Sequence, residues 1–162
     1  MAASLLALDW GSTNLRAVLL DQGGHPLAER QQAAGILQVP ERQFGQVLLA
    51  LCGDWRQDPS VAIIASGMIG SRQGWVEAPY LVTPIAPAAA AQALTRIPLR
   101  GDRAVYLIPG IRSAAHDSTG HIDDVMRGEE AQVWGADFEP GLAARGASRL
   151  ARAAGLISDT SI

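Results

Sequence analysis

Two apolar runs, Leu5-Leu6-Ala7-Leu8 and Leu15 to Leu20, flank the polar, glycine-bearing stretch Asp9-Trp10-Gly11-Ser12-Thr13-Asn14. Short apolar runs bounded by turn residues read as strands, and Gly23-Gly24 after the second run permits a tight return. The chain therefore opens with a hairpin whose first strand ends in a carboxylate. The remaining elements can be placed around this one.

The turn admits two readings. Backbone N–H groups around Gly11 to Thr13 can face a phosphate with no bulky side chain in the way, the hydroxyls of Ser12 and Thr13 add donors, and Asp9 can hold a hydrated Mg²⁺ against the same phosphate. Alternatively, Asp9 ends a strand and Gly11 serves only the bend, as in ordinary hairpins. The spacing alone leaves both open.

The chain holds no lysine: all thirteen basic residues are arginine. P-loop enzymes, Schiff-base enzymes, Ser-x-x-Lys hydrolases and protein kinases each require a lysine, so those classes are excluded. Any phosphate must be held by backbone amides, a metal ion or Arg. With 162 residues, 48% of them hydrophobic, the chain can bury one core. Its net charge of −3 gives no electrostatic reason to expect nucleic acid as a partner. The single Cys52 permits no internal disulfide and supports no zinc cluster. No stretch approaches the ~18 apolar residues of a membrane span, and the N-terminus lacks a signal-peptide layout. The expectation is a soluble, cytoplasmic protein that does not engage membranes.

After the hairpin, Leu27 to Ala34 supplies a third strand and Gly35 to Pro40 turns. Phe44, Val47, Leu48 and Leu51 then fall at i, i+3, i+4 and i+7, which predicts a helix between Pro40 and Gly53. Trp55, one turn on, reads as a core or docking aromatic. Val61 to Ala65 is apolar without alternation, as in a strand buried on both faces of a parallel sheet. Pro79, Pro84 and Pro87 break the chain, so Leu81 to Ala86 reads as extended or irregular. Ala88 to Arg96 reads as a short Ala-rich helix, and Val105 to Ile108 as another buried strand. His116, Asp117, His121, Asp123 and Asp124 crowd one polar segment, read as a solvated loop with no metal ligand claimed.

Four motifs carry a resemblance. Asp9 to Asp21, Ser66 to Tyr80 (SGMIGSRQGWVEAPY), Ile108 to Arg112 (IPGIR) and Val125 to Ala136 (VMRGEEAQVWGA) occur in the order that resembles the 2-dehydro-3-deoxygalactonokinase family of the sugar kinase, heat-shock ATPase and actin superfamily. The resemblance implies an α/β, ribonuclease H-like half-domain whose mixed sheet joins an antiparallel hairpin to parallel strands, flanked by helices. It also implies ATP-dependent phosphorylation of 2-dehydro-3-deoxy-D-galactonate in galactonate breakdown, with Mg²⁺, and a possible homodimer.

Residue by residue, the resemblance implies Asp9 as the holder of Mg²⁺ through water and of the phosphates. Gly11, Ser12, Thr13 and Asn14 are then the nucleotide contacts, and Glu129 is a substrate contact or base. Ser66, Gly67, Met68 and Gly70 become the floor of the sugar-acid site, where ligands of open α/β sheets bind. Trp75, Glu77 and Tyr80 line it. Arg127 is the carboxylate clamp, ahead of Arg72 and Arg112. An acidic first helical turn at Glu129-Glu130 is also what the helix dipole alone would favour.

The resemblance covers residues 4 to 136, read as one domain. Residues 137 to 162 depart from it and read as a helical or disordered tail, with Leu142, Arg145, Arg149 and Arg152 along one face of a helix; truncation or a frame change near residue 137 is the expectation. Two rival functions stand beside the kinase: a non-catalytic half-domain that folds or oligomerises, and, ranked last, a nuclease, which needs several converging carboxylates for two metals.

Overall fold

The computed structural model describes residues 2–113, 125–129 and 142–158. Strands β1 (Ala3–Trp10), β2 (Leu15–Asp21) and β3 (Pro26–Gln32) form an antiparallel meander. Helix α1 (Phe44–Cys52) leads to β4 (Ala62–Ser66), which pairs parallel with β1. Next come β5 (Tyr80–Val82), α2 (Pro87–Gln92), β6 (Thr95–Pro98) and β7 (Ala104–Leu107). Strand β7 lies parallel to β4, and β6 closes the edge antiparallel to β7. The six-stranded order is β3-β2-β1-β4-β7-β6. A small second sheet joins β5, β8 (Gly110–Arg112) and β9 (Val125–Met126), and α3 (Leu142–Ala153) is the last element described. This is the mixed-sheet, ribonuclease H-like half-domain expected from the motifs.

Alternation along the central strands divides the core in two. Leu6, Leu8, Trp10, Ile63 and Ala65 face one layer, with Phe44, Leu48 and Cys52 of α1; Leu5, Ala7 and Ile64 face the other, with Ala90 and Ala91 of α2 and Ala147, Leu150 and Ala151 of α3. Period-two strands buried on both faces have this composition, and each fully buried leucine or isoleucine contributes about 1.5–3 kcal/mol. The α1 face read from the sequence is the buried one. Strand β3 is the exposed, charged edge, with an arginine and a glutamate that blunt further pairing.

The structure differs from the sequence reading at several elements. The Ala-rich helix stops at Gln92, and Thr95–Pro98, expected as helix and turn, is strand β6 instead. A run of alanines carries no signal for its own end, and the β6 pairing with β7 overrides helix propensity beyond Ala93. Strand β5 was expected only as extended chain; it gains a partner in β8 through Tyr80↔Gly110 register.

Candidate active site at the sheet edge

Asp9 stands at the carboxyl end of β1, opposite Arg16 on β2 and level with Ser66 on β4. Partial burial pushes its carboxyl pKa above the ordinary value; the Arg16 charge opposes this and Glu129 adds to it. Arg16 is itself held in a bidentate pair with Glu29, at 2.7 and 3.0 Å, so its charge is shared. Ser66 is buried and its hydroxyl donates to the Leu8 carbonyl at 3.3 Å, which closes the gap between the two central strands.

The turn from Gly11 to Asn14 closes by Gly11 N–H donating to Asn14 O at 2.9 Å. Its carbonyls at Gly11, Ser12 and Thr13 accept from the N–H groups of Ile36, Leu37 and Gly35 at 2.9, 3.2 and 3.1 Å. Among the described residues, the N–H groups of Ser12, Thr13 and Asn14 find no such acceptor, so they are left for solvent or a ligand. Asn14 Nδ2 donates to Thr13 Oγ1 at 3.2 Å. A Cβ on Gly11 would stand in ordinary van der Waals contact with Asn14 O at 3.7 Å, so packing alone does not require glycine there.

Gly67, leaving β4, has φ +99, and a Cβ there would lie 2.7 Å from Trp10 O and 3.4 Å from Asp9 Oδ1. Only glycine fits both the conformation and the contact. Gly128, φ +110, packs in turn on Gly67, whose Cα would be 3.2 Å from an added Cβ. Two glycines back to back thus bring the segment carrying Arg127 and Glu129 onto the Asp9 edge, where the Glu129 charge reaches Asp9.

Arg127 sits deeper, 9% exposed. Its Nε donates to Tyr80 Oη at 3.1 Å, Nη2 donates to Ala78 O at 2.7 Å, and the guanidinium carbon lies 4.2 Å from the Tyr80 ring centre. Gly70 and Gly110 make room for it: added Cβ atoms would stand 2.8 Å from Nη1 and 3.2 Å from the guanidinium carbon. Nη1 is covered and has no hydrogen-bond partner among the described residues.

The expected site residues therefore fall into groups. Asp9, Gly11, Ser12, Thr13, Asn14, Ser66, Gly67 and Glu129 meet at one end of the sheet. The buried Gly70 and Arg127 form a knot beside it with the exposed Tyr80, reached through the one-turn 3₁₀ segment Met68–Gly70. Trp75 turns its ring toward Trp10 and Phe44, with ring centres 6.3 and 6.0 Å away, so its face is largely engaged in packing. Glu77 is exposed, 3.8 Å from Arg72. The crowded His and Asp segment from His116 to Asp124 lies outside the described residues. Among the described residues no three His, Cys, Asp or Glu side chains form a metal-ligand set.

Sequence reasoning missed Arg16 as the Asp9 counter-charge, because cross-strand register is set by turn length and not by composition. It also missed the Ala34 to Leu37 segment that covers the turn; Gly35 was its only signal. A further groove of about 590 Å³ runs between the β2–β3 hairpin and α3, sharing Arg16 and Glu29 with this edge.

A mixed sheet of this order, with an aspartate-tipped first strand and a glycine crossing at its carboxyl end, defines an α/β half-domain of the ribonuclease H-like kind. The 2-keto-3-deoxy-galactonokinase family model matches residues 9–152, and the chain belongs to that family. It is 41% identical over 136 residues to the 2-dehydro-3-deoxygalactonokinase of Escherichia coli K12, covering 84% of this chain and 43% of the relative. A Rhizobium meliloti protein named for the same activity is 38% identical over 132 residues, covering 80% of this chain and 41% of the relative. A crystal structure of a Sinorhizobium meliloti protein assigned as a 2-dehydro-3-deoxygalactonokinase superposes with a TM-score of 0.70 at 37% identity, over 81% of this chain and 42% of that one. The chain thus spans less than half the length of these relatives.

Proposed function

We propose that this chain supplies the sugar-acid and phosphate side of an ATP-dependent kinase acting on 2-dehydro-3-deoxy-D-galactonate. One observation carries the reading: the unaccepted amides of Ser12 to Asn14 and the Asp9 carboxylate face the same sheet edge, with Glu129 brought beside them. Open N–H groups with a neighbouring carboxylate suit a metal-chelated polyphosphate, and the lack of a side chain at Gly11 lets it approach the backbone.

In this reading Ser12, Thr13 and Asn14 bind phosphate oxygens, and Asp9 holds the Mg²⁺ through water. Bound Mg²⁺ supplies neutralisation of the phosphate charge. Phosphoryl transfer asks for little covalent help, so the chain's own task is to orient and exclude water. Glu129 is placed to take the proton from the attacking hydroxyl or to hold a neighbouring one. Ser66, Gly67, Met68 and Gly70 form the floor beneath the sugar acid, with Glu77 and Trp75 at its rim.

For the acid's own carboxylate the reading assigns Arg127. Its Nη1 is the one guanidinium nitrogen that the described residues leave without an acceptor. Because Nη1 is covered, with Gly70 beside it, a carboxylate reaches it only when the residues around it move. Calorimetry separates the roles: Arg127→Ala should weaken affinity for the sugar acid more than for ATP, and the reverse order would remove Arg127 as the clamp. The kinase reading as a whole is tested by following ADP release with the acid present. Asp9→Asn should cut turnover by about two orders of magnitude, the scale of losing a key charge stabiliser; unchanged kinetics would refute the Asp9 role.

A second reading is favoured by the coverage of the relatives, 41–43% of their length. In it, the chain is a folded half-domain that binds or oligomerises without completing transfer. Micromolar MgATP binding with turnover supports the kinase. A folded chain with neither supports the half-domain.

A further inference from the structure

The phosphate-facing turn has one closing hydrogen bond of its own, Gly11 N–H to Asn14 O, and its remaining carbonyls are held from outside. Each of its three carbonyls at Gly11, Ser12 and Thr13 is tied to a backbone N–H of one distant segment, Gly35 to Leu37. That segment is anchored at both sides. Trp10 Nε1, fully buried, donates to Ala34 O at 2.8 Å, and the Ile36 side chain is buried in the layer that holds Trp10 and Phe44. A short 3₁₀ turn, Ile36–Gln38, stiffens its far end, with Gln38 N–H donating to Gly35 O at 2.9 Å.

The closest approach is at Gly35. A Cβ there would stand 2.2 Å from Thr13 N and 2.3 Å from the Ser12 carbonyl atoms. Gly35 itself has φ −61 and ψ 171, an extended conformation open to any residue. Its identity is therefore demanded by the turn it lies against and not by its own backbone. In a trans peptide the N–H points away from its own carbonyl, so with the carbonyls of Gly11, Ser12 and Thr13 held by the strap, the amides of Ser12, Thr13 and Asn14 point away from it and can donate to an anion.

We propose that residues 34–37 form a strap that presets the turn for phosphate, with Gly35 and Trp10 as positioning residues. The proposal rests on the kinase reading. It adds that nucleotide affinity depends on a segment that touches no ligand, and that this dependence is stronger for the nucleotide than for the sugar acid. The strap bonds the nucleotide turn directly through three backbone hydrogen bonds, whereas it meets the sugar-acid floor only through the shared apolar layer of Ile36, Trp10 and Ile69. A displaced strap would therefore disturb the nucleotide turn before the acid site.

Gly35→Ala in the full chain tests this by isothermal titration with MgATP and, separately, with the sugar acid. The expected result is a loss of at least about tenfold in MgATP affinity with acid affinity within twofold of the unsubstituted chain. Equal MgATP affinity, or parallel loss of both ligands, would overturn the strap's specific role. Absence of MgATP binding by the unsubstituted chain would instead remove the kinase reading, and the proposal with it. If Gly35→Ala does not fold, amide hydrogen exchange on the unsubstituted chain decides. Exchange at Gly35, Ile36 and Leu37 should slow at least about tenfold when MgATP binds, and unchanged exchange there would overturn the proposal.

Discussion

Asp9, the residue proposed to hold the metal-chelated phosphates, opposes the fold that presents it. Its carboxyl is partly buried, and that burial, more than the opposing Arg16 charge or the added Glu129 charge, raises its pKa. A carboxylate whose folded pKa lies above its unfolded value contributes most to stability when protonated; the contribution is complete below about pH 3.8 and is lost as pH rises through the folded value. At neutral pH the ionised Asp9 is thus a net burden on folding. Asp9→Asn, which removes turnover in the kinase reading, should raise the thermal midpoint at pH 7. The gain should disappear on acidification to pH 3.5, and calorimetric scans at the two pH values check both signs. The placement of Asp9 at a strand end was legible in the sequence, because an apolar run stops there. The surroundings of Arg127 were not, since the Tyr80 and Ala78 partners lie 47 and 49 positions away and no local pattern encodes them.

At the level of elements, the edge strand β3 and helix α1 are joined by one arginine. Arg30 forks onto Asp54 just beyond α1, at 2.5 and 2.7 Å, donates to Leu51 O at 2.8 Å, and lies 3.9 Å over the Trp55 ring. The Arg30 hydrogen bonds are the first cause that holds the Asp54 carboxyl down at about 2. A depressed carboxylate contributes stability above its unfolded pKa of 3.8 and loses it as pH falls through about 2. Asp54→Asn should therefore lower the urea midpoint at pH 7, and the gap to the unsubstituted chain should narrow steadily from pH 4 toward pH 2. Because the pair is exposed, the effect is small and shrinks in high salt. Helix α1 was readable from its 3.6-residue period, and the hairpin and β4 from apolar runs bounded by turn residues. Strands β5, β8 and β9, of three, three and two residues, are too short to display a period, and their pairing comes from chain geometry around Pro79 and Gly110. Strand β6 was hidden by the alanines that precede it.

For the molecule as a whole, the question is whether the described elements close a core by themselves. A sheet with two apolar faces requires a layer on each side. Helix α1 covers one, while α2 and α3 share the other, where Leu150 and Ala151 of α3 are fully buried against Leu5, Ile64 and Ala90. The family match, which runs to residue 152, includes nearly all of α3. In sequence this segment shows arginines at every third or fourth position and few large apolar residues, so its buried stripe of small side chains is nearly silent. Small residues let a helix lie close on a sheet, and one leucine then carries much of the contact. Leu150→Ala should cost about 2–5 kcal/mol, the range for truncating a buried leucine. Urea unfolding followed by tryptophan fluorescence measures this, since Trp10 and Trp75 lie in the layer opposite α3. One shared transition, shifted to lower urea, would show that α3 belongs to the same cooperative unit as the Asp9 edge. An unshifted midpoint would mean that α3 is an appended helix and that the sheet's second face is stable without it.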